Sequence, residues 1–493
     1  MASSLAAVEK QKNAPSHHDD DKVTNKNLSS SSSKKTKTKE EEEEEQQEEE
    51  EEEEEEDLVC DVREMTITND VDDDDNNNNN NNKNNNPFDV TTRFMGRYLR
   101  GEMTVEEFFL PEKDRELYYL PHDQFQEDDE MPVLDLSGIL QQSVEQSSNG
   151  VEVMHDAAEA KQKKQKEAAE DSICRMMGEA ARTWGFFGVV NHGVSLELIE
   201  RMRAQAQRFF QLPVHQKLKG APNERLPFAY FPGNPSFHRS KCWNEALQLE
   251  SNPDKLQLFC ESVWSEEHDR ESFRAALLEY TAALGELGGR ILVLLAKSLG
   301  LDPNQFKRHL RSESKTTLRM NHYPPCPHPD KIEGLYAHSD ASMISIVHQG
   351  LVGGLQILKD DKWVGVRPNP ACLVVNIGEA VMIMSNERFA SVMHRAVANS
   401  DEPRLSLAFF CMAGDEDVIS VAEKLTNESH PAKFIPFSWK EYIAHIWRED
   451  RPGYYRQKKG SSSTDKKDDD QGSSVNEHNN HDRQSLATTE LHD

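Results

Sequence analysis

The sequence predicts an α+β fold: a mainly helical N-terminal region packed on a β core that closes as a distorted double-stranded β-helix, or jelly roll. Three observations carry this. Apolar residues recur at helical spacing between Ile173 and Leu294. From about Thr316 the pattern changes to short apolar runs at even spacing, broken by turn residues, as in sandwiches and barrels. Both ends of the chain lack the apolar content to build a core.

The elements follow in chain order. Residues 1–87 are low complexity: a Ser run at 29–33, lysines 34, 35, 37 and 39, a Glu-rich block from Glu40 to Asp57, and an Asn tract ending at Asn86. They are expected to form a disordered acidic tail, as are residues 456–493. The part between divides into a helical region over 88–310 and a β domain over 311–455. Met131–Leu136 reads as a short strand, followed by a polar insertion over about 141–168 whose Lys/Gln/Glu/Ala run lacks an apolar stripe. Ile173, Met176, Met177, Ala180 and Trp184 make one helical face, and Phe186–Val190 a buried strand. Leu198, Ile199, Met202, Ala206, Phe209 and Phe210 define an amphipathic helix, and Phe273 to Leu294 a longer one that Gly300 stops, with Pro303 opening a short helix. The expected strands are 343–347, 354–358, 363–366, 372–377, 381–384, 392–398 and 405–411.

Charge and cysteine usage bound the function. Residues 1–90 carry a net charge of −18 and residues 457–493 of −3, against −31 for the chain, which leaves −10 for the middle. A mildly acidic middle argues against nucleic acid and anionic membranes, which need a basic surface. The seven cysteines are scattered, with no CxxC pair, so neither a disulfide framework nor a zinc knuckle is expected. The N-terminus lacks an apolar stretch of secretory length. The expected location is the cytoplasm, with the Lys cluster a weak nuclear signal, and the expected state a monomer.

Two residues of His338-Ser339-Asp340 can share a metal, because positions i and i+2 of an extended segment point to one side. His394, on a later β segment, is the best third ligand. Two imidazoles and a carboxylate on one face of an octahedron form the facial triad of non-haem iron(II) oxygenases. An isolated HxD among 19 histidines is more often fortuitous. His192, His322 and His348 are rivals without a carboxylate at i+2, and read as structural or substrate-side positions.

Arg404-Leu405-Ser406 repeats the i, i+2 logic for an anion. The guanidinium offers a planar fork for a carboxylate and the hydroxyl one more bond, while Leu405 turns to apolar packing. A hairpin through 399–403 is expected to bring Arg404 near His394. Asn321 and Tyr323 show the same spacing, and Tyr323 can add a phenol donor. Taken alone, such an arginine is more often a surface ion pair. Phe228, Tyr230, Phe231 and Phe389 are candidates to line an apolar pocket, though core packing accounts for each at least as well. Arg319 can reach a substrate carboxylate or be an ordinary strand arginine.

Together these residues resemble a known family. Asn321-His-Tyr-Pro-Pro-Cys-Pro327, Gly334-Leu-Tyr-Ala-His-Ser-Asp340, Gly354-Leu-Gln356, Val375-Asn-Ile-Gly378, Ser385-Asn386, His394-Arg395 and Arg404-Leu-Ser406, in this order, resemble the plant 2-oxoglutarate/Fe(II)-dependent dioxygenases. Trp184 to Gly193 looks like that family's N-terminal region. The resemblance implies Fe(II) at His338, Asp340 and His394. It implies 2-oxoglutarate at Arg404 and Ser406 with Tyr323 assisting, and dioxygen as the second co-substrate. Glu379 stands where the family usually has Asp, and Glu387 and Ala390 where it has Gly and Lys. Ile346-Val-His-Gln349 and Lys362-Trp-Val-Gly-Val366 look most like gibberellin oxidases, which act on diterpenoid acids. The implied substrate is thus a small apolar metabolite. The other readings are a flavonoid oxygenase, a ring-closing relative without a clamped oxoacid, and a non-catalytic interaction protein working through its acidic tail.

Overall fold

The computed structural model describes residues 94–112, 115, 121, 123, 125, 130–140, 155–233, 241–310, 316–444 and 451–457. The first part of the polar insertion and the two expected tails lie outside these residues, except Arg456 and Gln457, which are held by Glu387 and Lys433 O. Helices are α1 (Phe94–Leu99), α2 (Ser137–Leu140), α3 (His155–Thr183), α4 (Leu196–Phe210), α5 (Val214–Leu218), α6 (Pro253–Val263), α7 (Glu267–Ser298), α8 (Glu379–Met384), α9 (Trp439–Ala444) and α10 (Arg451–Tyr454). Strands are β1 (Val133–Asp135), β2 (Phe186–Val190), β3 (Tyr230–Phe231), β4 (Glu245–Glu250), β5 (Thr317–Tyr323), β6 (Leu335–His338) and β7 (Ile344–His348). They continue as β8 (Leu355–Lys359), β9 (Lys362–Gly365), β10 (Leu373–Ile377), β11 (His394–Ala396), β12 (Arg404–Cys411), β13 (Val418–Ile419) and β14 (Phe437–Ser438). Among the described residues no helix is long and apolar enough to cross a membrane.

The core is a two-sheet jelly roll. An eight-stranded sheet runs β1-β2-β10-β7-β12-β5-β4-β3, and a four-stranded sheet β6-β11-β8-β9. Strands β1 to β4 come from the segment read as mainly helical and join the same large sheet. Alternation along its strands gives the sheet two unlike faces. Phe187, Val189, Leu318, Met320, Ile344, Ile346, Leu373, Val375, Leu407 and Phe409 point outward into one core with α3, α4, α6 and α7. The long helix α7 approaches closely at Gly288, where a Cβ would stand 2.6 Å from Cys411 Sγ. The inner face meets the small sheet, with Phe186 and Val374 packed against Leu355, Ile357 and Val366.

Most expected elements appear with ends shifted by one or two residues. Four differences are informative. Residues 381–384 belong to α8 rather than a strand, because an apolar run of four residues, three of them buried, is too short to show a period that chooses between them. Helix α3 starts at His155, inside the polar stretch. Its Lys/Gln/Glu/Ala run propagates a helix well once the apolar turns from Ile173 onward anchor it. Met176 is 46% exposed and falls off that helix's buried face. Gly300 does end α7 with φ +67°, but Pro303 opens a turn.

Candidate active site

His338 ends β6 and His394 begins β11, and antiparallel pairing sets them directly opposite each other, with ring centroids 4.3 Å apart. Each ring is oriented by a carbonyl two residues earlier: Nδ1 of His338 donates to Tyr336 O (2.9 Å) and Nδ1 of His394 to Val392 O (3.2 Å). A carbonyl only accepts, so each Nδ1 carries a proton, and Nε2 is the nitrogen each ring presents to a cation. These Nε2 atoms lie 3.6 and 3.8 Å from Asp340 Oδ1. The three ligand atoms fall within 4.8 Å of one another. The other carboxylate oxygen is already committed, accepting from Ser345 Oγ (2.5 Å) and Asn376 Nδ2 (2.7 Å).

Electrostatics prepare the same three groups. Burial, then the neighbouring His394, push His338 down to about 4. Burial works to raise Asp340, but the two imidazoles and the Ser345 and Asn376 donors outweigh it and hold the carboxyl below its ordinary range. The result near neutral pH is a neutral His338 imidazole beside a carboxylate, the state a divalent cation requires. Two nitrogens and one oxygen, with Nδ1 and Oδ2 occupied from behind, suit a ferrous ion with open positions.

Arg404 and Ser406 lie on β12, opposite Tyr323 and Asn321 of β5 in register. All four share the inner face of the large sheet. Arg404 lies over the Tyr323 ring (5.0 Å) and its Nη1 donates to Ser406 Oγ (3.3 Å). The guanidinium is 2% exposed, and its Nε has no partner. The expected hairpin is absent: β11 and β12 belong to opposite sheets, because consecutive strands of the roll alternate between layers. Arg404 therefore faces the space between the sheets from the layer opposite His394. Arg319 sits on the same face, bonded through Nε to Asn321 Oδ1 (2.8 Å) and Nη1 to Gln248 Oε1 (3.1 Å), with Nη2 unpartnered. Burial holds both arginines below the ordinary guanidinium range. Among the described residues neither is paired with a carboxylate. A buried cation without a counter-charge is costly, and an anionic ligand is what removes the cost.

The rival histidines stay outside this cluster. His322 points to the outer face against Glu245 (2.8 Å), His348 reaches Pro370 O (3.3 Å), and His192 accepts from Val194 N (3.2 Å). Of the aromatic candidates, Tyr230 and Phe389 sit in the main core, Phe231 is buried and Phe228 is 40% exposed. Ser345, Asn376 and Phe186, whose ring edge meets His394 at 5.3 Å, were not singled out from sequence. The signal was present: Ser345 and Asn376 are lone polar residues inside apolar strands, at positions whose period-2 phase points inward.

Fold and site together describe an oxygenase of the jelly-roll type, and comparison with known proteins agrees. Residues 314–413 match the model of the 2OG-Fe(II) oxygenase superfamily, and residues 131–267 that of the non-haem dioxygenase in morphine synthesis N-terminal domain. Gibberellin 3-beta-dioxygenase 4 of Arabidopsis thaliana is 32% identical, over 55% of this chain and 78% of its own. Flavanone 3-dioxygenase 2 of Oryza sativa subsp. japonica is 34% identical, over 56% and 80%. The crystal structure of JOX2 in complex with 2OG, Fe and JA superposes with a TM-score of 0.54 at 28% identity, covering 72% of this chain and 98% of that one. The chain belongs to the 2OG-Fe(II) oxygenase superfamily.

Proposed function

We propose that this oxygenase holds Fe(II) through His338 Nε2, His394 Nε2 and one oxygen of Asp340, and seats 2-oxoglutarate with its distal carboxylate on Arg404 and Ser406, assisted by Tyr323 and Asn321. The observation that carries the reading is the convergence of three cation ligands between sheets whose inner face also buries a guanidinium with no carboxylate partner among the described residues. When bound, iron with 2-oxoglutarate and dioxygen supplies the oxidising equivalent: the oxoacid leaves as succinate and carbon dioxide, and one oxygen atom enters a substrate C–H bond. The chain's residues do the rest. Arg404 neutralises and orients the dicarboxylate. Ser345 and Asn376 hold Asp340 so that one oxygen faces the two imidazoles. Phe186 and the apolar inner residues keep water from the reacting centre.

The substrate we propose is a small apolar carboxylic acid of the gibberellin type. Arg319 supports an acid: it lies on the same inner face, its Nη2 has no hydrogen-bond partner, and among the described residues it forms no ion pair, the carboxylate that acts on it being Asp340, a proposed metal ligand. A flavonoid, which has no carboxylate, would leave that cation unpaired. The test of the site is anaerobic titration with Fe(II) and 2-oxoglutarate. A visible metal-to-ligand absorption band is expected in the wild type and absent in His338→Ala. A His338→Ala protein with an unchanged band would overturn the assignment.

A further inference from the structure

Between the two proposed ligands, Ser339 necessarily points the other way, toward the back of the site. There its hydroxyl donates to Glu379 Oε1 at 2.6 Å. Glu379 is 2% exposed, and its second oxygen accepts from Tyr442 Oη, also at 2.6 Å. Its backbone N–H donates to Asp340 O (2.9 Å), so side chain and main chain of one residue grip both Ser339 and Asp340. The preceding residue must be glycine: a Cβ on Gly378 would stand 1.8 Å from Ser342 O. This close approach presses α8 onto the segment that carries the ligands.

Tyr442 comes from α9, near the end of the described chain. It is fully buried, stacked on Phe437 (4.8 Å) and Trp439 (5.5 Å). Helix α9 is itself pinned, with Trp439 N donating to Asp417 O (2.8 Å). A second carboxylate ties the same C-terminal segment down: Glu387, at φ +62°, bonds Lys433 (2.6 Å) and Arg456. Glu379 and Glu387 thus both reach the segment 433–456.

We propose that Tyr442 is a positioning residue for the metal ligands. Acting through Glu379, it braces Ser339 from behind, fixes the twist of residues 338–340, and so sets the aim of His338 and Asp340. The C-terminal segment thereby tunes the site's affinity for metal. The inference rests on the reading that His338, Asp340 and His394 bind the ion.

The test uses the full metal-free chain, titrated anaerobically with Fe(II) in the presence of 2-oxoglutarate, with a melting curve of each apo protein. Tyr442→Phe and Ser339→Ala should each weaken Fe(II) binding about 10-fold, as loss of outer-shell support does. If they act through one relay, the double variant should lose about as much as either single one. Ser339→Thr, which keeps the hydroxyl, should restore tight binding. A folded Tyr442→Phe protein that binds Fe(II) like the wild type, or a double variant in which the two losses multiply, would overturn the relay. Should Tyr442→Phe fail to fold, Ser339→Ala at its half-buried position reads the same link, and wild-type affinity there has the same consequence. His338→Ala separates the readings: if it abolishes binding while the relay variants bind Fe(II) as tightly as the wild type, only the positioning role falls. If it too binds normally, the metal site itself falls.

Discussion

The two faces of the eight-stranded sheet are built from the same strands and do opposite work. In β5, Leu318 and Met320 point out into the helices, while Arg319, Asn321 and Tyr323 point in toward the small sheet. In β12, Leu405, Leu407 and Phe409 point out and Arg404 and Ser406 point in. The outer face is close-packed hydrocarbon and supplies stability. The inner face holds two buried guanidinium groups and a set of hydrogen-bond donors, which cost stability until a ligand arrives. Neighbouring residues one position apart should therefore be separable by experiment into those that hold the fold and those that hold the ligands.

The largest expected effect lies on the outer face. Phe409 is fully buried against α7, its ring 4.0 Å from the place a Cβ on Gly285 would take. Phe409→Ala leaves a cavity there and should cost about 3–5 kcal/mol, read as a shift in the urea midpoint. Per folded molecule, the absorption band formed with Fe(II) and 2-oxoglutarate should be unchanged. A variant that kept its midpoint but lost the band would erase the division between faces.

The inner face predicts the reverse pattern. Arg319→Met removes a buried charge that forms no direct ion pair among the described residues, so the fold should lose little or even gain. With a carboxylic-acid substrate, kcat/KM should fall by about 2 kcal/mol, roughly 30-fold, the worth of a hydrogen bond to a charged group. A neutral substrate should be turned over about equally by both proteins. Equal losses on acid and neutral substrates would assign Arg319 to the architecture instead.

How much of this was legible beforehand follows from the same geometry. The inward triplets His338-x-Asp340 and Arg404-x-Ser406 were readable because a period of two fixes which side chains share a face without any knowledge of partners. The partners were not readable. Sequence adjacency suggested that Arg404 folds back on His394, whereas the roll sends β11 and β12 to opposite sheets. Long-range pairing, such as His338 with His394 or Tyr323 with Arg404, is decided by sheet closure and has no local signature. Supporting residues were hidden for the same reason. Asn376 and Ser345 matter only through Asp340, and Tyr442 matters only through Glu379 at a sequence separation of 63. Helix α8 was not legible because a short, nearly all-apolar run shows no period.

The outer face has its own exceptions to hydrocarbon, and His348 gives the smallest predicted effect. It ends β7 with 1% exposure, between the charged Arg203 of α4 and His192. Burial, then the Arg203 charge, push it down from its ordinary value of 6.5 to about 4. The unfolded chain therefore takes up a proton on this ring near the ordinary value, while the folded chain resists until well below it. Folded stability from this residue is complete above about pH 6.5 and is lost as pH falls from there toward 4, at up to about 1.4 kcal/mol per pH unit. Urea unfolding at about pH 7 and about pH 5 should show the wild type losing about 1–2 kcal/mol more than His348→Gln, which keeps a donor for Pro370 O but cannot titrate. His192, also pushed down by burial, leaves part of the acid sensitivity in both proteins, so the difference between them is the quantity to measure. If wild type and variant weaken in parallel, the imidazole is protonated equally in both states, and the outer face at the end of β7 is wetter than its packing implies.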